Sequence, residues 1–182
     1  MSRKLLIGSG IALLLLIVAF FMLRSYTKSF SPEATARYTD RGFRIEVKYS
    51  QPSKKGRLIF GLEAQNAVVP FGKVWRTGAN EATQIQLDTE TVIAGHSVKS
   101  GIYTLWTIPG PDGWEVILNQ DTGQWGTQYN DGKDLFRANI ATRTLTEAVE
   151  VFTISFEEQP EGVDMLLSWD HTQVIVPIRP LT

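Results

Sequence analysis

Residues 5–23 form an unbroken apolar run with no charged side chain. As a helix rising 1.5 Å per residue it would span about 28 Å, close to the hydrocarbon thickness of a bilayer. After residue 41 the pattern changes to a period of two, which predicts strands with one wet and one buried face. Phe43, Ile45, Val47 and Tyr49 alternate with Arg44, Glu46 and Lys48. Gln84, Gln86 and Asp88 alternate with Ile85 and Leu87. The same period recurs over 114–119, 136–140, 152–156, 165–169 and 174–178, with a shorter apolar stretch at 58–60. Residues 102–108 are apolar on both faces, as expected of a central strand. Turn signals separate these runs: Gly95-His96, Pro109 to Gly113, Asp121-Thr122-Gly123, Asn130-Asp131-Gly132 and Pro160-Glu161-Gly162.

Eight or nine short antiparallel strands at roughly ten-residue spacing predict an all-β sandwich or jelly roll. The only helical patterns beyond the first segment are weak, at 62–67 and 143–148. Residues 29–41 have no period and read as a linker. The expected organisation is therefore an N-terminal membrane anchor over 1–28, a linker over 29–41 and a β domain over 42–182.

The anchor has a rival, a cleaved signal peptide. That needs a core of ~7–15 residues and a small-x-small cleavage site, whereas this run ends in Phe20-Phe21-Met22-Leu23-Arg24. The expectation is an uncleaved, single-pass signal anchor. Arg3 and Lys4 before the run nearly balance Arg24 and Lys28 after it, so the short N-terminal tail decides the orientation: tail inside, β domain extracytoplasmic. Gly8 and Ala12 form a small-xxx-small pair that suits helix pairing, a common pattern that leaves the oligomeric state open.

Composition narrows the chemistry. Of 182 residues, 43 % are apolar and 20 % charged, and the net charge is −1, which speaks against a basic nucleic-acid binder. There is no cysteine, hence no disulfide, thiolate metal site, sulfur nucleophile or lipidated N-terminal cysteine. With two histidines, neither spaced near a ligand partner, no metal site or cofactor is expected. His96 and His171 read as solvated loop residues. No Gly-x-Ser-x-Gly or phosphate-cradling glycine pattern occurs in the β domain. Charge is uneven: residues 29–76 hold nine bases and four acids, and residues 77–182 five bases and fifteen acids.

One segment lacks alternation and is rich in recognition groups: Pro70 to Thr83. Within it Trp75 offers an apolar plate, Arg76 a planar fork of donors, Asn80 a donor and an acceptor, and Glu81 an acceptor pair. Thr83 completes the candidate set. Such a cluster suits a buried loop whose side chains satisfy backbone groups across a sandwich corner. It also suits non-catalytic binding of a carbohydrate or small polar envelope ligand. Glu81 is the first choice for a carboxylate in a third reading, a hydrolase. A structural or protein-interaction domain of the envelope is the alternative to the binding module.

The chain also resembles a known family. Tyr49 to Ser53, Lys55 to Gly61 and Val74-Trp75-Arg76-Thr77-Gly78-Ala79-Asn80-Glu81-Ala82-Thr83 are similar to the bacterial family catalogued as domain of unknown function 2911. Gly101 to Pro109, Trp114 to Asn119, Trp125-Gly126, Tyr129, Leu167-Ser168-Trp169 and Val174 to Ile178 fit it too, over about residues 31 to 179. The resemblance implies an exported β-rich domain and carries no catalytic residue. Members usually look secreted, whereas this chain keeps an anchor-like run.

Overall fold

The computed structural model describes residues 3–40 and 42–181. Arg41, the last residue of the expected linker, lies outside the described residues, and so do the side chains of Arg3 and Lys4 and the surroundings of Gly8, on which the orientation and helix-pairing expectations rest.

Helix α1, Arg3–Ser29, has 27 residues. Its stretch Ala12–Ser29 is long and apolar enough to cross a membrane, and none of it is buried against the rest of the chain. The helix outlasts the apolar run by six residues, which carry Arg24 and Lys28.

The strands follow in order: β1 Glu33–Asp40, β2 Phe43–Ser50, β3 Phe60–Gly61, β4 Val69–Pro70, β5 Thr83–Leu87, β6 Thr91–Ile93, β7 His96–Val98, β8 Gly101–Pro109, β9 Gly113–Asn119, β10 Asp134–Gln159 and β11 Gly162–Pro180. Nine of them make one sheet in the order β1-β2-β5-β8-β9-β10-β11-β6-β7. Every neighbour in it is antiparallel. The short pair β3–β4 is parallel and stands apart. The all-β expectation is met, with one large sheet as its basis.

That sheet doubles over. Strand β10 pairs with β9 over 134–141 and with β11 over 142–159, and its register shifts between Thr144, Val149 and Thr153. Bulges of this kind bend a strand and increase its twist. The second half of β10 therefore lies across β2: the Tyr49 hydroxyl accepts from the Ile154 N–H at 3.0 Å, and Tyr38 on β1 lies 6.1 Å from Phe156. Between the layers, Ile45, Val47, Ile85, Leu105, Val116 and Leu118 share one core with Phe152, Ile154, Met165, Leu167, Val174 and Val176. Each aliphatic side chain buried there contributes about 1.5–3 kcal/mol.

Several local expectations are corrected. Residues 33–40, read as linker, form β1 at the sheet edge. Their alternation is carried by Ala34, Ala36 and Tyr38, which pack on the core, and two alanines give a faint hydrophobic signal. Residues 143–148, a helical candidate, run as strand through the middle of β10. They sit at the crossing between layers, where pairing with β11 is interrupted after Thr144 and so leaves no clean period of two. The candidate at 62–67 shrinks to a single 3-10 turn, Glu63–Gln65, ended by Asn66 in the left-handed region. The pairs of runs at 136–140 and 152–156, and at 165–169 and 174–178, are each one continuous strand. The hairpin β6–β7 was hidden by strands of three residues; Ala94 and Gly95 turn it with φ of 49° and 84°, the hand that matches strand twist.

The outer face of β1–β2 holds a charge cluster. Arg37, paired across the strands with Glu46, donates to it at 2.8 Å, while Lys48 lies at 3.2 Å and Arg44 at 3.4 Å. Hydrogen bonds from Arg37 and then Lys48 outweigh burial and hold the Glu46 carboxyl at about 2, below its ordinary 4.5. Because the folded value lies below the unfolded one, this stabilisation is complete above about 4.5 and is lost as pH falls through about 2. Urea midpoints measured from pH 7 to pH 2 should therefore fall more steeply below pH 4.5 for the wild type than for Glu46→Gln. Parallel curves would show that the cluster is silent.

Candidate functional site

After β4 the chain leaves the sheet and returns to it at β5. In between, Trp75 exchanges backbone hydrogen bonds with Thr107 of β8, at 2.7 and 2.9 Å, and makes one isolated bridge. Thr77 and Asn80 then take positive φ, 50° and 59°. A β-carbon at Gly78 would stand 2.9 Å from the Ser50 carbonyl, so glycine is required there by close approach. This winding is why the segment shows no alternation.

The five candidate residues part company here. Trp75 is buried, and its Nε1 donates to the Gly78 carbonyl at 2.9 Å. Its ring stacks on Trp169 at 5.9 Å and meets Phe60, Trp114 and Phe152 at 5.0–5.9 Å. Thr83 is fully buried and donates to the Thr77 carbonyl at 2.7 Å. Asn80 donates to the Ser31 carbonyl at 3.1 Å and to the Ser50 hydroxyl at 3.3 Å. These three side chains satisfy the turn's own backbone and pin it to the chain just after α1.

Glu81 faces that helix. It accepts from Arg24 and lies beside Lys28, each at 2.7 Å, and Arg24 also sits 4.7 Å above the Trp125 ring. Burial pushes the Glu81 carboxyl up, but hydrogen bonds from Lys28, its own backbone and Arg24 bring it below the ordinary value. Glu81 is thus an ionised carboxylate held by two cations, which does not suit a general acid.

Arg76 points the other way. Its stem passes under Gly126, and its Nη1 donates to the Asn80 carbonyl at 3.2 Å. It is half-buried and has no carboxylate partner among the described residues. Burial accordingly pushes its pKa down.

The segment is a wall between two open clefts. One, of about 440 Å³, is lined by Glu33, Tyr49, Ser50, Glu81 and Gln84 among others. The second, of about 480 Å³, is lined by Trp75, Arg76, Lys55, Arg57, Trp169 and Phe30 among others, and no acidic residue lines it. Lys55 and Arg57 were missed as site residues. They belong to a basic turn, Ser53-Lys54-Lys55-Gly56-Arg57, in which Lys55 and Gly56 take φ of 49° and 69°. Among the described residues no cluster of three or more metal-ligating side chains occurs. His96 stacks on Phe136 at 4.4 Å and His171 meets the Leu145 carbonyl at 3.0 Å, both exposed.

Residues 31–178 match a family model described as a protein of unknown function, DUF2911. The chain belongs to the DUF2911 family. No curated protein and no solved structure matches it. The DUF2911 match begins just before β1 and ends within β11, so it takes in residues 31–41 of the stretch read as linker and leaves α1 outside.

Gly126 is the hinge of this geometry within the DUF2911 domain. A β-carbon there would collide with the Arg76 side chain and stand 2.7 Å from the Asn80 carbonyl. Gly126→Ala should cost about 1–3 kcal/mol by overpacking, read as a lower urea midpoint. Adding Arg76→Ala should return part of that loss, because the closest contact, with the Arg76 Cδ, disappears while those with the Asn80 carbonyl and the residue-76 Cβ at 2.9 Å remain. Strict additivity of the two changes would show that Gly126 and Arg76 do not press on each other.

Proposed function

We propose that this DUF2911 chain is a single-pass, membrane-anchored module whose β domain lies on the extracytoplasmic side and binds a small polar ligand, without turnover, in the cleft beside Arg76. The observation that carries the reading is Arg76 itself. Folding half-buries a guanidinium with five N–H donors, supplies it with one backbone acceptor and gives it no counter-ion among the described residues. A structural arginine at a loop corner ordinarily has its donors matched within the loop, whereas the remaining donors of Arg76 have no protein partner among the described residues and open onto the cleft. A ligand that accepts from this fork removes the mismatch.

Other features support the anchored form. The last turns of α1 are tied to the domain through Arg24, Lys28 and Glu81, so removal of the helix would leave a partly buried carboxylate without its cations. Carbohydrate is the weaker choice of ligand, because sugar binding wants a free aromatic plate. Trp75 is buried among other rings, and Arg24 already covers Trp125. A general-acid role for Glu81 in hydrolysis is disfavoured by its ionised state, and its two cations on α1 already take its Oε1.

If the cleft binds, Arg76→Ala should shift the urea midpoint by the equivalent of ~1 kcal/mol or less, because the one charge-assisted hydrogen bond lost is offset by no longer half-burying a guanidinium without a counter-ion. A thermal-shift screen of small polar compounds should then give responses that Arg76→Ala abolishes. A loss of several kcal/mol in that variant, with no responsive compound, would return Arg76 to a purely structural role. For the anchor, the chain should stay in the membrane fraction through high-salt and alkaline washing. Recovery of a soluble species beginning near residue 25 would instead show cleavage.

A further inference from the structure

The Arg76 cleft has a charge pattern that specifies more than polarity. Three cations line it, and none of the three, Lys55, Arg57 or Arg76, makes an ion pair among the described residues. Backbone carbonyls hold the two guanidinium groups, and one carboxylate, that of Glu150, stands beside the set at the Lys55 backbone and not at its ammonium. Arg57 donates through Nε to the Lys54 carbonyl at 3.1 Å and through Nη2 to the Ser53 carbonyl at 2.5 Å. Lys55 carries its ammonium 5.5 Å from the Phe30 ring centre, while its backbone N–H is taken by the Glu150 carboxylate at 2.8 Å. Arg76 spends one donor on the Asn80 carbonyl. Trp75 and Trp169 supply part of the lining, with Gly78 and Ala79 on the same wall.

A carboxylate brings one negative charge and two oxygens in one plane. Three separated cations are better matched by a group with more charge and acceptors in several directions, which describes phosphate. Position points the same way. Phe30 and Ser31, the first residues beyond α1, also line the cleft. Six helical residues separate them from the apolar run, about 9 Å of rise. The headgroup layer on each side of a bilayer is roughly 5–8 Å thick. The cleft therefore opens at the outer edge of the headgroup layer, next to headgroup phosphates and to the aqueous phase alike.

We propose that this cleft is a phosphate site, taking the phosphate of an anionic lipid headgroup or of a soluble phosphate ester, with Arg76 as its fork and Lys55 and Arg57 as flanking charges. The inference rests on the reading of the cleft as a binding site and adds the ligand's chemical class.

The test uses the full chain in micelles of an uncharged detergent at fixed ionic strength, with tryptophan fluorescence as the readout. The probes are inorganic phosphate, glycerol 3-phosphate and a short-chain phosphatidylglycerol, against acetate and glucose. Circular dichroism and the urea midpoint establish that each variant is folded. Phosphate-bearing probes should bind saturably, and Arg76→Ala should weaken them at least about tenfold, with Arg76→Lys recovering part of the loss. Arg143→Ala, which removes an exposed cation outside the cleft, should change nothing. Binding of phosphatidylglycerol alone assigns the site to a lipid headgroup, and binding of all three assigns it to a free phosphate ester. Equal binding of acetate, or equal losses in the Arg76 and Arg143 variants, would overturn the phosphate site. If glucose or another uncharged compound from the small-polar screen binds in an Arg76-dependent way while phosphates do not, the binding module survives and its phosphate chemistry falls. If neither probe set binds, both fall.

Discussion

The stacking of Trp75 on Trp169 is the contact from which the rest of the domain takes its order. Trp75 belongs to neither layer; it enters from an irregular segment and is fastened by a single bridge to β8. Trp169 comes from β11, on the far side of the core. With Phe60, Trp114 and Phe152 the two indoles fill the end of the sandwich. Large rings contribute through area, and through edge-to-face and offset geometry beyond it. Once Trp75 is fixed, the following residues have little freedom. The turn must pass Ser50 closely enough to demand Gly78, and Arg76 and Glu81 must emerge on opposite sides. The division into a cationic cleft and a helix-facing carboxylate is thus a by-product of core packing.

Legibility in the sequence followed the strength of each local signal. Where bulky apolar residues alternate with charged ones, as along Phe43 to Tyr49 or Trp114 to Asn119, the strand was plain, because that pattern is what a half-buried face requires. Where Ala34 and Ala36 carry the inward face, the strand was invisible. Small side chains bury well at an edge and leave little trace in a hydropathy pattern. Long strands were read as broken ones, since the inward face changes layer midway along β10. The weak helical period at 143–148 arose at that change. No local rule encodes it, because it depends on which strand lies opposite.

The candidate site was legible as a segment but not as a geometry. Its lack of alternation, its two glycines and its dense polar groups set residues 70–83 apart from the strands around them. The sequence does not say that Thr83 turns inward to its own backbone while Arg76 turns outward. Those directions follow from the positive φ values of Thr77 and Asn80, which Gly78 makes room for. Lys55 and Arg57 were overlooked because they precede Arg76 by about twenty residues and meet it only through the fold. The basic excess of residues 29–76 was a faint hint of them.

The path of β10 also sets the order of events by which the chain matures. Its first half belongs to one layer and its second half to the other, so neither layer has a complete edge until the whole strand is in place. The hydrogen bonds that join the layers link Tyr49 to Ile154 across 105 positions. Contacts of such separation close late and slowly, since loop entropy must be lost before they form. During synthesis β1 and β2 emerge soon after the apolar helix and wait, inner faces bare, for a partner more than a hundred residues behind them. Such a chain gains from holding its early strands apart from its neighbours. In the anchored form proposed above, the helix ahead of them keeps each nascent domain at its own place in the plane while the last strand arrives.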